Sequence, residues 1–127
     1  MKRVAINGFG RIGRNFLRAY LERRPDFEIV AVNDIGDVKT MAHLLEFDSV
    51  LGRLNEEVDA GSETITVGER RLRALSIPEP EKLPWQELGV DVVVEATGRF
   101  KERAKAQAHL DAGARSVVVS AVANDAD

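Results

Sequence analysis

Cysteine is absent from the 127 residues. Its absence excludes a disulfide framework, a thiolate metal site and a cysteine nucleophile within this sequence. Histidine occurs twice, at His43 and His109. Both fall in helical stretches with no neighbours at metal-ligand spacing, so a structural role is expected of each. Aromatic residues are scarce, and the single tryptophan, Trp85 after Pro84, is expected to anchor packing rather than to serve as a stacking platform. No apolar run approaches the length of a membrane span. The opening Met1-Lys2-Arg3-Val4-Ala5-Ile6-Asn7 turns to glycine too soon for a secretory signal. Neither sign of charge prevails: 18 basic against 21 acidic residues give a net charge of −3, which argues against nucleic acid or an anionic membrane as the main partner. Repeats and low-complexity tracts are missing as well. A cytoplasmic setting is the simplest that remains.

What is present fits one α/β domain. The length matches a single unit, and the 44% apolar content suffices for a core without staples. Val4 and Ile6 open a short apolar strand that stops at Asn7-Gly8. Ile12, Phe16, Leu17, Tyr20 and Leu21 then follow at helical spacing until Pro25-Asp26. The run Ile29-Val30-Ala31-Val32 ends at Asn33-Asp34. Strand, helix and strand within about thirty residues make a βαβ unit with parallel strands.

Val38 to Phe47 is expected to be helical. Residues 48 to 80 alternate in short pieces, Thr64-Ile65-Thr66-Val67 and Leu72-Arg73-Ala74-Leu75, with Gly68-Glu69 as a hairpin turn. This stretch reads as a small antiparallel insertion. Pro84-Trp85 starts a helical turn, and Val90 to Glu95 is a strand covered on both faces. Glu102 to Ala112 is a helix closed by Gly113, and Ser116 to Ser120 is the last strand. The fold class is therefore α/β, of the Rossmann type. It is a doubly wound, mostly parallel sheet with a small antiparallel insertion.

The chemistry concentrates in Asn7-Gly8-Phe9-Gly10-Arg11-Ile12-Gly13-Arg14. Glycines at 8, 10 and 13 match G-x-G-x-x-G, a weak signal alone that context strengthens. The motif follows a strand, opens an amphipathic helix, and is followed by an acidic residue at the end of the next strand. Gly8 permits the exit from the strand, Gly10 lets a pyrophosphate approach the backbone, and Gly13 lets helix pack on strand. The helix N-terminus then faces the phosphates. Asp34, 21 positions after Gly13, suits ribose hydroxyls and would repel a 2′-phosphate, so NAD is expected over NADP.

With these residues the sequence resembles the phosphorylating glyceraldehyde-3-phosphate dehydrogenases. The same likeness is carried by Asn33-Asp34, by Ala42-His43-Leu44-Leu45 leading to Phe47-Asp48-Ser49-Val50, and by Gly89-Val90-Asp91-Val92-Val93-Val94-Glu95-Ala96-Thr97-Gly98. His109-Leu110-Asp111-Ala112-Gly113-Ala114 and Ser120-Ala121 extend it over nearly the whole chain. The resemblance implies an NAD site with Phe9, Gly10, Arg11 and Ile12 at the pyrophosphate and Asn33 and Asp34 at the adenosine. Thr97, Gly98 and Phe100 would line the groove, and Ser120 would approach the nicotinamide.

Three positions depart from the family pattern. Pro78 stands where an arginine is common, Leu51 where a histidine is, and Val122 where a proline follows Ser120-Ala121. The resemblance also implies a catalytic domain, carrying the cysteine and a histidine base, that these residues do not contain. The chain is thus expected to be the cofactor-binding part of a homotetrameric enzyme, able to hold NAD but not to turn over, and prone to self-association alone. Alternatives are the matching domain of an erythrose-4-phosphate dehydrogenase, a stand-alone NAD-binding module, or a scaffold with a vestigial site.

Two further expectations concern charged groups. Glu95, ending a buried strand, would have a raised pKa and would shape the groove rather than act as an acid or base. Arg14 and Arg18, one turn apart, read as a solvated face, with an oligomer contact as the alternative.

Overall fold

The computed structural model describes residues 2–23, 25–48, 52–54, 56–97 and 102–119. Strand β1 (Lys2–Asn7) becomes buried from Val4 onward and leads into helix α1 (Arg11–Arg23). Gly13, Leu17, Tyr20 and Leu21 are the buried residues of α1, spaced so that one stripe faces the sheet. Strand β2 (Phe27–Asn33) returns parallel to β1, and Phe27 packs on Phe16 and Tyr20. The expected βαβ unit is in place.

Helix α2 (Val38–Glu46) starts at Asp37, whose side chain accepts a hydrogen bond from the Thr40 amide at 2.8 Å, an ordinary N-cap. That bond first, and then one from the Thr40 hydroxyl at 3.0 Å, hold the Asp37 carboxyl below its usual range. The helix stops one residue before the expected Phe47, which turns extended and begins β3 (Phe47–Asp48), paired with β4 (Gly52–Arg53). Strands β5 (Val58–Ala60), β6 (Thr64–Val67) and β7 (Arg70–Leu75) follow, with the turn at Gly68-Glu69.

Here the structure refines the reading of residues 48 to 80. β5, β6 and β7 pair antiparallel, but β7 also pairs parallel with β2, matching Asn33 to Leu75. The stretch therefore supplies a strand of the main sheet. Alternation could not reveal this, because a strand with one antiparallel and one parallel neighbour shows the same two-residue period.

A 3-10 turn (Pro80–Lys82) and helix α3 (Trp85–Leu88) precede β8 (Val92–Glu95). Helix α4 (Glu102–Asp111) ends at Gly113, whose φ of 116° suits glycine alone. Strand β9 (Ser116–Val119) is the last element described. The seven-stranded sheet runs β5-β6-β7-β2-β1-β8-β9. Core residues divide between its faces. Leu17, Tyr20, Met41 and Leu45 of α1 and α2 join Val4, Ile6 and Ile65, while Leu83 and Trp85 join Ala5, Ala31 and Val93. No helix among the described residues is long and apolar enough to cross a membrane.

Candidate nucleotide cleft

The chain leaves β1 for β2 on one side and reaches β8 on the other. In open α/β sheets, the carboxyl ends of strands at such a reversal form the usual ligand crevice. A cleft of about 280 Å³ lies there. Asn7, Gly8, Phe9 and Gly10 line it after β1, Asn33, Asp34 and Ile35 after β2, Ile77 and Pro78 after β7, and Ala96 and Thr97 after β8.

The three motif glycines differ in what requires them. Gly8 has φ of 100°, and a Cβ there would lie 2.7 Å from the Thr97 nitrogen. A Cβ on Gly13 would sit 2.1 Å from the Gly8 carbonyl oxygen, so α1 could not seat against the loop. At Gly10 a Cβ would meet nothing within 4 Å. The fold needs the first and third glycines, whereas the space at Gly10 is left open beside the cleft. Helix α1 has no acidic residue in its first turn, so no side chain of its own neutralises the positive end of its dipole.

Asp34 stands at the mouth of the cleft. Its Oδ2 accepts from the Phe9 amide at 3.2 Å and its Oδ1 from the Ile35 amide at 2.7 Å, so the carboxylate is oriented yet half-exposed. The Phe9 side chain is buried in the core, while its amide donates to the Asp34 carboxylate in the cleft. Arg11 and Ile12 are exposed at the start of α1. Gly98, Phe100 and Ser120 lie outside the described residues.

Other expectations change. Arg18 is not a solvated side chain: its guanidinium donates to the carbonyls of Leu45 at 2.7 Å, Glu46 at 3.2 Å and Gly52 at 2.8 Å, closing the C-terminus of α2. Arg14 donates to the Phe9 carbonyl at 3.0 Å, bracing the glycine loop. No sequence pattern signals either contact, since each joins the helix to backbone groups. Glu95 is also corrected. Burial pushes its carboxyl up, but hydrogen bonds from His109, Thr97 and Asn7 together outweigh that and hold it below the usual range. Trp85 and His109 are wholly buried, in line with structural roles. His43 is exposed, its ring 5.0 Å from that of Phe47.

Sequence reasoning passed over Asn7, Ile35, Ile77 and Ala96 as lining residues. A signal existed for the first: Asn7 and Asn33 end neighbouring strands and pair in register.

Comparison with known proteins decides the assignment. The family described as "Glyceraldehyde 3-phosphate dehydrogenase, NAD binding domain" matches residues 2–103. The chain belongs to this family. It is 58% identical over 131 residues to glyceraldehyde-3-phosphate dehydrogenase of Mycobacterium avium, covering 98% of this chain and 39% of the relative. Identity is 56% over 125 residues to glyceraldehyde-3-phosphate dehydrogenase 1 of Streptomyces avermitilis, with 98% of this chain and 37% of the relative covered. The chain thus spans under two-fifths of the length of these curated relatives. As a member of the glyceraldehyde-3-phosphate dehydrogenase NAD-binding family it has NAD as its cofactor, and among the described residues no group of acidic or histidine side chains is placed to hold a metal.

Proposed function

We propose that the chain holds NAD in this cleft, as the cofactor-binding part of an enzyme oxidising glyceraldehyde 3-phosphate. The observation that carries the reading is the pairing of open space at Gly10 with the oriented Asp34 carboxylate in one cleft. The backbone of Gly8, Phe9 and Gly10 and the start of α1 at Arg11, Ile12 and Gly13 would take the pyrophosphate. Asn33 and Asp34 would take the adenosine, the carboxylate accepting from ribose hydroxyls. Thr97, Gly98 and Phe100 would line the groove, and Ser120 would stand near the nicotinamide. Pro78 lines the cleft; it would face the adenosine and would bring no charge to it.

When bound, NAD supplies a hydride acceptor. This chain binds and orients; with no cysteine in its 127 residues, the chemistry that the resemblance assigns to a cysteine and a histidine base would fall to a catalytic domain. The setting proposed is cytoplasmic and the assembly a homotetramer. Val4, Phe16, Phe27, Val92, Val94 and Val118 line a separate apolar groove of about 440 Å³. In the longer enzyme it would be covered, and the chain alone would self-associate through it. Titration calorimetry with NAD and with NADP tests the cofactor reading. Clear preference for NAD is expected, and equal affinity would overturn the role given to Asp34.

A further inference from the structure

From the lining of the cleft a chain of polar groups runs inward to Glu95, His109 and Trp85, which are buried behind it. The Trp85 indole N–H donates to His109 Nδ1 at 2.9 Å. His109 Nε2 lies 2.7 Å from Glu95 Oε1. Asn7 Nδ2 donates to the same oxygen at 2.8 Å, while Thr97 donates to Oε2 through its amide at 2.9 Å and through its hydroxyl. Asn33 Nδ2 donates to Asn7 Oδ1 at 2.7 Å and to the Ile77 carbonyl at 2.9 Å, and Asn33 Oδ1 accepts from the Ile77 amide at 2.9 Å.

The directions of these bonds are fixed from both ends. An indole N–H can only donate, so His109 Nδ1 accepts and the ring proton sits on Nε2, aimed at Glu95. A second proton on Nδ1 would set two donors face to face. From the other end, the Ile77 amide demands the oxygen of Asn33, which turns the nitrogen of Asn33 toward Asn7 and the nitrogen of Asn7 toward Glu95. Both ends therefore require an acceptor at the centre, and a carboxylate is the side chain that only accepts.

Asn7, Asn33 and Thr97 line the cleft, whereas Glu95, His109 and Trp85 lie behind it. The chain ties together the ends of β1, β2 and β8, and through Ile77 the residues just after β7. We propose that Glu95 is a positioning residue for the cofactor: its carboxylate, seated by His109 and Trp85, draws Asn7 and Thr97 into the spacing that NAD meets. This rests on the cofactor reading above. A site held by a satisfied buried network stays pre-organised, and half-satisfying the network loosens it.

The test is NAD binding by the chain and its variants, with circular dichroism as the check on folding. Glu95→Gln keeps the shape but places an amide donor among donors, so NAD should bind about tenfold more weakly, a size usual for coupling between adjoining sites. His109→Gln can still donate to Glu95 and accept from Trp85, whereas His109→Leu can do neither. The leucine variant should lose about tenfold and the glutamine variant should recover most of it, since polar satisfaction rather than apolar packing is at stake. Nitrogen NMR of His109 in the unsubstituted chain should show a protonated Nε2 and a bare Nδ1, which decides the wiring even if a variant fails to fold. The proposal falls if Glu95→Gln binds NAD like the parent while Asp34→Ala does not, if His109→Leu matches His109→Gln, or if the proton sits on Nδ1. If the parent chain itself binds no NAD, the cofactor reading falls first and takes the proposal with it.

Discussion

The rim and the floor of the cleft each hold a carboxylate at a strand end, and the two have opposite surroundings. Asp34, after β2, is half-exposed and takes one backbone amide on each oxygen. A carboxylate offers about four acceptor positions, so capacity remains for incoming hydroxyls. Glu95, ending β8, is 2% exposed and is crowded with donors from three side chains and a backbone amide. Space follows the same division, open at Gly10 and closed at Gly8 and Gly13. Carboxylates of one chemical class are thus left open or closed to further donors according to how many the protein has already spent on them.

The largest effect should come from filling the rim. Gly10→Val has room within the fold, so circular dichroism should be unchanged while calorimetry finds no NAD binding. Normal binding would place the site elsewhere and dissolve the comparison. Next comes emptying the floor. Glu95→Ala strands the buried donors of Asn7, His109 and Thr97, and stranded buried groups cost about 1–3 kcal/mol each. Urea unfolding should show a loss of roughly 3 kcal/mol or more, against about 1 kcal/mol for Asp34→Ala. Equal losses would mean the two carboxylates do not differ in kind.

Asp34→Ala sharpens the contrast from the other side. Charge-assisted hydrogen bonds contribute about 1.5–3 kcal/mol, so NAD should bind roughly 10- to 100-fold more weakly while the chain stays folded. The preference for NAD over NADP should shrink with it.

The smallest effect is in acid. The carboxyl of Glu95 lies below its ordinary value of 4.5 in the folded chain. Its contribution is therefore complete above that value and is lost as pH falls below it toward the depressed one. Asp37 and Asp91, lowered chiefly by backbone amides, act with the same sign. Unfolding free energy should hold level above about pH 5 and decline below it, less steeply in Glu95→Gln. An identical slope in that variant would show that Glu95 titrates no differently folded than unfolded.

The rim was far more legible in the sequence than the floor. Gly8, Gly10, Gly13 and Asp34 occur at a spacing whose meaning is local, because strand, loop and helix are contiguous. The floor is assembled across long separations: 88 residues from Asn7 to Glu95 and 24 from Trp85 to His109. Thr97 is a donor close by in sequence, but Asn7 and His109 are not, and burial alone argues for a raised pKa where the assembled structure lowers it. The sheet divides likewise. The hairpin of β6 and β7 shows in its alternation, but the parallel pairing of β7 with β2 joins Leu75 to Asn33 and leaves no mark on either run. Arg18 misled for the same reason, since its three acceptors are carbonyls, which any sequence provides.

The pairing of β1 with β8 also has a consequence in time. Val4 to Asn7 meet Val92 to Glu95 along one edge of β1, and a ribosome adds about 5–20 residues each second. For some 88 residues of synthesis, roughly 4 to 18 seconds at that pace, the first strand must wait with one edge bare and Asn7 without its acceptor. An interior strand of the finished sheet is thus made well before the strand that covers its second edge, and during that interval it is most open to a chaperone or to the wrong neighbour.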